Sequence, residues 1–140
     1  MQAINVVLAL DVGNARTGVA RARMEAGLAS PLTTIEQTMT ELPAFIRELV
    51  ASESADALVV GVPRNLSGQD TEQTTLVKEF IEQLKQQVDI QIFEQDEVLT
   101  SRKAEEELQA RKKPYSRGDI DALAATYILQ DFIDSHPELR

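Results

Sequence analysis

Between Ile4 and Leu10 every residue except Asn5 is apolar, and the run stops at Asp11. A strand that is apolar at consecutive rather than alternate positions has both faces covered. A chain containing one must place layers on both sides of a sheet, which points to an α/β architecture. The run continues as Asp11-Val12-Gly13-Asn14-Ala15-Arg16-Thr17-Gly18. Gly13 and Gly18 permit a tight turn and the close approach of another chain or a ligand. Asp11, at the end of a buried strand, is placed either to cap that turn or to hold a divalent cation.

The rest of the chain alternates strand and helix patterns. Strand one is expected over Ile4 to Asp11, strand two over Thr17 to Arg23, and a weaker third over Leu28 to Ile35, where Pro31 marks a bulge or an edge. Together they predict an antiparallel meander. Glu41 to Ser52 has helical spacing through Leu42, Phe45, Ile46 and Leu49. Ala57 to Val62 reads as a short apolar strand, followed by the breaker-rich loop Gly61 to Gly68. Asp70 and Gln73 form a candidate capping box for a helix carrying Leu76, Val77, Phe80, Ile81 and Leu84 on one side. Asp89 to Glu94 is expected as a strand and Thr100 to Ala110 as a helix. Lys112 to Gly118 is a loop, and a final helix begins at Ser116 and Asp119 and runs to about Asp134. The expected fold is a mixed five-stranded sheet flanked by helices, in a single domain spanning residues 1–140.

Composition narrows the function. The chain has no cysteine, so a disulfide framework and a thiolate zinc site are excluded. No apolar stretch approaches the roughly 20 residues of a membrane helix, and the N-terminus lacks the pattern of a signal peptide. A cytoplasmic protein with no membrane partner is the expectation. Net charge is −9, which argues against a protein that coats DNA. Aromatic residues make up 4% and tryptophan is absent, which disfavours a recognition surface built of stacked aromatics. Basic residues nevertheless cluster locally, at Arg16, Arg21 and Arg23 and again at Arg111, Lys112, Lys113 and Arg117. Local patches matter more than the sum.

Three acidic positions from distant parts of the chain stand out. At about 100° per residue, Asp121 shares a sector of the last helix with Ala124, Ile128 and Phe132, so it faces the sheet from the first turn. Asp119 points away and suits a helix cap. Asp96-Glu97 follows the strand Asp89 to Glu94. If the strands of Leu8 and Ile92 are parallel, their C-terminal ends share one edge, where open α/β sheets bind ligands. Oxygen ligands without cysteine, and with the lone His136 in the tail, suit Mg²⁺ or Mn²⁺. Such ions assist in-line phosphoryl displacement. The loop Gly61 to Gly68, with Arg64, is a candidate phosphate contact, though no Gly-Lys-Ser/Thr follows it.

Taken in order, Asp11-Val12-Gly13 with Arg16 and Gly18, Val60-Gly61-Val62-Pro63 with Asn65 and Gly68, Asp96-Glu97 with Leu99-Thr100-Ser101, and Asp121 with Ala124-Ala125 and Ile128-Leu129-Gln130 resemble the YqgF family, also called RuvX. Its members are named as pre-16S rRNA nucleases and Holliday junction resolvases. The resemblance runs from about Ile4 to Asp134. It implies an RNase H-like fold, a cytoplasmic protein, metal-dependent phosphodiester hydrolysis and processing of the 5′ end of the 16S rRNA precursor. Asp11, Glu97 and Asp121 match the family's acids. Its Asp-Glu-Arg motif departs here, because Val98 stands where the arginine would be; Arg102, one helical turn on, is a candidate substitute.

Three functions follow as expectations. The first is a nuclease in which Asp11, Glu97 and Asp121 hold Mg²⁺ or Mn²⁺, while Arg16, Arg64, Arg111, Lys112, Lys113 and Arg117 position pre-16S rRNA or branched DNA. The second is a catalytically weak factor that binds RNA or the small ribosomal subunit. The third is nucleotide binding, because Asp11-Val12-Gly13 also resembles the phosphate loop of actin-like ATPases; those need two such domains and this chain supplies one. A monomer or a weak homodimer is expected.

Overall fold

The computed structural model describes residues 3–98 and 100–140, without the side chains of Thr100 and Ser101. Leu99, part of the motif above, lies outside the described residues. Five strands form one mixed sheet in the order β3-β2-β1-β4-β5. They are β1 (Val6–Val12), β2 (Thr17–Arg23), β3 (Ser30–Ile35), β4 (Ala57–Pro63) and β5 (Gln91–Glu97). β1 and β2 pair antiparallel, as do β2 and β3. β1, β4 and β5 run parallel, so their C-terminal ends share one edge. Gly13 N–H donates to the Arg16 carbonyl at 2.9 Å and closes the β1–β2 turn.

The pleat sorts side chains into two layers, because successive residues of a strand face opposite ways. Even-numbered Leu8 and Leu10 of β1, and Leu58 and Val60 of β4, pack against α1 (Leu42–Glu53) and α2 (Glu72–Lys85). Odd-numbered Val7 and Ala9, with Val59 and Phe93, pack against α4 (Arg117–Ser135) through Ile128, Leu129 and Phe132. α3 (Thr100–Ala110) lies on α4, with Ala104 and Leu108 against Leu123 and Ala124. Every apolar residue of β1 is buried, as a strand at the centre of three layers requires.

Two glycines set how closely α4 approaches the sheet. A methyl group on Gly18 of β2 would overlap the backbone carbonyl of Asp121, so the N-terminal part of α4 lies directly on β2. A methyl on Gly61 of β4 would come within 2.5 Å of Ile128 Cδ1. A side chain at Gly18 would lift the helix, and Asp121 with it, off the strand ends, whereas at Gly61 it would displace the Ile128 side chain.

Several expected boundaries move. β1 runs from Val6 to Val12 rather than from Ile4 to Asp11. β3 begins at Ser30, leaving Leu28 exposed before it. β5 starts two residues later than expected and continues three residues beyond Glu94. Its last residues are polar, but their backbone pairs in register with Gly61, Val62 and Pro63 of β4, and an edge strand tolerates polar side chains. The cap of α2 is Thr71 with Thr74, not Asp70 with Gln73: each threonine hydroxyl accepts from the other's backbone N–H. The Thr74 hydroxyl also donates to the Pro63 carbonyl, tying the cap to the end of β4. The cap of α4 is Ser116 with Asp119, as its sequence suggests. His136 does not trail free: its ring stacks on Phe132 at 4.2 Å between centroids, and Nδ1 lies 2.8 Å from the Phe132 carbonyl oxygen.

Candidate active site

The C-terminal ends of β1, β4 and β5, together with the start of α4, enclose a cavity of about 470 Å³. Asp11, Glu97 and Asp121 all line it, as do Arg16, Arg64, Gln73 and Arg102. Strand alternation explains which acids arrive. Asp11 and Glu97 occupy the odd-numbered, α4-facing positions of their strands, in phase with Ala9 and Phe93. Asp96 has the opposite phase and lies on the other face, where its Oδ1 accepts from Arg64 Nε at 3.3 Å. Of the pair Asp96-Glu97, only Glu97 therefore enters the cavity. Asp121 comes from the start of the second turn of α4, not the first turn expected from sequence, because the helix already begins at Arg117; it is held against β2 by the absence of a side chain at Gly18.

The three carboxyls sit in different electrostatic surroundings. Burial raises the pKa of Asp11 to about 6, and the negative charge of Asp121 adds to the rise. Glu97 is pushed up to about 8, first by burial, then by the charge and the hydrogen-bonding oxygen of Asp131 and, to a smaller extent, by Asp11, with Lys103 opposing. Glu97 Oε1 is buried without a hydrogen-bond partner. Asp121 has a counter-charge: its Oδ2 accepts from Arg16 Nε at 2.7 Å.

This donor set suits a hard divalent cation. It offers oxygen ligands only, one of them an orphaned buried oxygen, and acids that raise one another's proton affinity, a cost a cation would relieve. The carboxyls share a cavity without forming a ready ligand cluster: among the described residues, no three acidic, histidine or cysteine groups stand in metal-holding geometry.

The basic residues divide. Arg16 and Arg64 line the cavity. Arg64 is also committed within the protein, paired with Asp70 and with Asp96, and only 17% of its side chain is exposed. Arg111, Lys112, Lys113 and Arg117 do not line the cavity: the first three sit on the segment joining α3 to α4 and Arg117 opens α4. Val98 is 41% exposed, and Arg102, one turn into α3, reaches the cavity wall while pairing with Glu106 at 3.4 Å.

Two contributors escape sequence reasoning. Gln73 Nε2 donates to the Val12 carbonyl at 3.3 Å and forms part of the wall; its position in the first turn of α2 was the available signal, obscured by its resemblance to a cap. Asp131 acts on Glu97 from α4, where it is exposed on the helix and reads as an ordinary solvent-facing acid. No local pattern pairs it with β5.

Comparison with solved structures supports the fold. The chain superimposes on Thermus thermophilus RuvC in complex with Holliday junction substrate with a TM-score of 0.59 at 14% identity, covering 96% of this chain and 97% of that one. Fowlpox virus resolvase, solved with Holliday junction DNA, gives a TM-score of 0.55 at 10% identity over 93% of this chain and 97% of that chain. The sheet and its helices are thus those of RuvC-like, RNase H-fold proteins. Closer relatives are found by sequence. A protein of Roseiflexus sp. named "Putative pre-16S rRNA nuclease" is 44% identical over 133 residues, which is 92% of this chain and 94% of the relative. One of the same name from Thiobacillus denitrificans is 39% identical over 139 residues, 96% of this chain and 94% of the relative. The family profile described as RuvX, Holliday junction resolvase, matches residues 5–135. With its acids at the shared edge of three parallel strands and these relatives along nearly its whole length, the chain belongs to the RuvX family.

Proposed function

We propose that this chain is a nuclease that hydrolyses phosphodiester bonds with Mg²⁺ or Mn²⁺, acting in the cytoplasm on the 5′ end of pre-16S rRNA. The observation that carries the reading is the convergence of Asp11, Glu97 and Asp121 on one cavity, with Glu97 Oε1 buried and unpartnered. These three carboxyls would hold the cation. When bound, a divalent cation offsets phosphate charge and makes water a stronger nucleophile at neutral pH. Arg16 holds the Asp121 carboxyl in place and leaves a third of its own side chain open to a phosphate. Arg64 braces the β4–α2 loop at the cavity wall. The substrate follows from the names of the relatives; branched DNA follows from the family's description as a Holliday junction resolvase. The chain works as one domain, as a monomer or a weak homodimer.

The test compares D11N with the parent on single-stranded RNA carrying a pre-16S leader and on a four-way DNA junction, in Mg²⁺ and in Mn²⁺. Loss of cleavage in D11N supports the assignment, and the preferred substrate identifies the nucleic acid. Undiminished cleavage by D11N would refute the role of Asp11.

A second reading is a factor that engages RNA or the small ribosomal subunit with little catalysis. Two observations favour it: Asp121 is already paired with Arg16, and among the described residues the acids do not form a ready ligand cluster. Tight RNA binding with no cleavage in either metal selects this reading.

A further inference from the structure

A second concavity lies beside the acidic one. The segment between α3 and α4 folds back sharply after Ala110. Arg111 N–H donates to the Glu107 carbonyl at 3.2 Å and Lys112 N–H to the Gln109 carbonyl at 3.2 Å. Lys112 then adopts a φ of 55°, the left-handed conformation that ends helices. The reversal brings Lys113-Pro114-Tyr115 around a space shared with Leu108 of α3, Leu123 of α4 and Pro31 of β3. A groove of about 350 Å³ opens there. Its floor is apolar, built of Leu108 and Leu123, which are nearly buried; Pro114 and Tyr115 form a wall. Tyr115 is 36% exposed.

The rim of this groove is mainly cationic and holds one acid, Asp119, whose carboxylate accepts from the Ser116 N–H. Arg111 and Lys113 line it, and Lys112 and Arg117 belong to the same seven-residue segment. Four of the chain's 14 lysines and arginines thus fall between residues 111 and 117 of a protein whose net charge is −9. Among the described residues, Lys112, Lys113 and Arg117 carry no ion pair, and Arg111 pairs with the half-buried Glu107. An apolar slot with an exposed aromatic wall and cations around it matches a base flanked by phosphates. The flat face stacks on the ring and the backbone lies along the cations. A peptide partner of comparable fit would have to be acidic as well as apolar, and the residue of the edge strand β3 that lines the groove, Pro31, has no N–H to offer an added strand. The absence of tryptophan limits how many bases such a protein can stack, but one tyrosine suffices for one base.

The position of the groove relative to the acids gives it a role. Asp119 and Ala122 of α4 line the groove, and Asp121 lines the acidic cavity. The two concavities therefore flank the same first two turns of one helix, and a polynucleotide crossing those turns reaches both. We propose that this groove is a binding subsite for an unpaired nucleotide, with Tyr115 stacking on its base and Lys113, Arg111 and Arg117 holding the adjoining phosphates. A base inside a duplex is already stacked on its neighbours and cannot enter, so the subsite selects single-stranded substrate next to the point of cleavage. This inference rests on the nucleic-acid reading above and adds to it a preference that the acids alone do not supply.

The experiment uses the full chain carrying D11N, so that binding is read without cleavage and the outcome does not depend on hydrolysis. Fluorescence anisotropy measures affinity for a single-stranded oligonucleotide, made as RNA and as DNA, and for its blunt duplex. Adding Y115A is expected to weaken single-strand binding about 5–20-fold and to leave duplex binding nearly unchanged, the size of one lost stacking contact. Y115F keeps the ring and is expected to bind as the D11N protein does. K113A with R117A weakens both forms and lowers the salt dependence. A 2-aminopurine placed in the single strand is quenched on binding, and Y115A relieves that quenching at one position. The tighter of the RNA and DNA forms names the polymer. Unchanged single-strand affinity in Y115A, or an equal loss for the duplex, overturns the subsite and returns the groove to a protein partner. Failure of the parent chain to cleave, with Y115A still weakening single-strand binding and sparing the duplex, defeats the hydrolase reading and leaves the subsite standing.

Discussion

Arg16 Nε and Asp121 Oδ2 meet at 2.7 Å, joining the β1–β2 turn to a helix that begins a hundred residues later. The pair fixes one wall of the acidic cavity. Both side chains are partly exposed, at 33% and 18%. Such a pair contributes about 0.2–1 kcal/mol to stability. R16A is therefore expected to melt within a few degrees of the parent yet to cleave at least tenfold more slowly, because Asp121 loses its anchor and the phosphate loses a cation. Parallel melting curves and initial rates check this; a large drop in melting temperature with rates preserved would reverse the assignment.

The alternation of β5 separates two adjacent acids. E97Q is expected to lower cleavage by a factor of about 100 or more, the scale of losing a group that acts in the reaction. D96N, on the opposite face with Arg64, is expected to stay within a few-fold of the parent. Rates at saturating Mg²⁺ decide the matter, and comparable losses in both variants would contradict the facing derived from the pleat.

Raised carboxyl pKa values bear on stability with a definite sign. Asp11 and Glu97 titrate near 3.8 and 4.5 when unperturbed and at about 6 and about 8 in the folded chain. Below the lower values both states are protonated and the two groups have no effect. As pH rises, the unfolded chain releases its protons first, so the folded state is progressively penalised until pH passes the folded values. In the absence of divalent metal, D11N and E97Q should therefore each exceed the parent in stability at pH 8 by about 1–3 kcal/mol, and differ little from it near pH 4. Urea unfolding at the two pH values measures the difference, and a gain independent of pH excludes this origin.

The two glycines under α4 are expected to differ in cost. At Gly18 an added methyl meets backbone atoms of Asp121 and Ala122, which cannot move without shifting the helix; at Gly61 it meets the end of the Ile128 side chain, which can turn aside. G18A should destabilise by about 3 kcal/mol or more and abolish cleavage, and G61A by about 1 kcal/mol. Thermal unfolding of the two variants, with cleavage assayed well below both transitions, distinguishes them.

Much of this architecture could be read from local pattern. The consecutive apolar residues of β1, the helical stripes of α1, α2 and α4, and the Ser116–Asp119 cap each follow from rules that operate within a few residues. The order of elements then restricted the topology to a mixed sheet with helices on both faces. Asp11 and Asp121 were legible as candidates because each interrupts an apolar pattern. The cap of α2 was misread because Asp70-Gln73 and Thr71-Thr74 offer the same chemistry one residue apart, and the carbonyl of Pro63, eleven residues before Thr74, favours the threonines.

The sequence by itself determined which segments are strands and helices and which acids break the apolar faces, since strand and helix periods are properties of a short stretch of backbone. Tertiary structure alone decided which of those acids share a cavity. The three polar residues that extend β5 are held by backbone pairing with β4, and that extension, with its two-residue period, turns Glu97 inward and Asp96 outward. The same packing brings Asp131 to Glu97 and Arg16 to Asp121, contacts between groups far apart along the chain that no periodic pattern records.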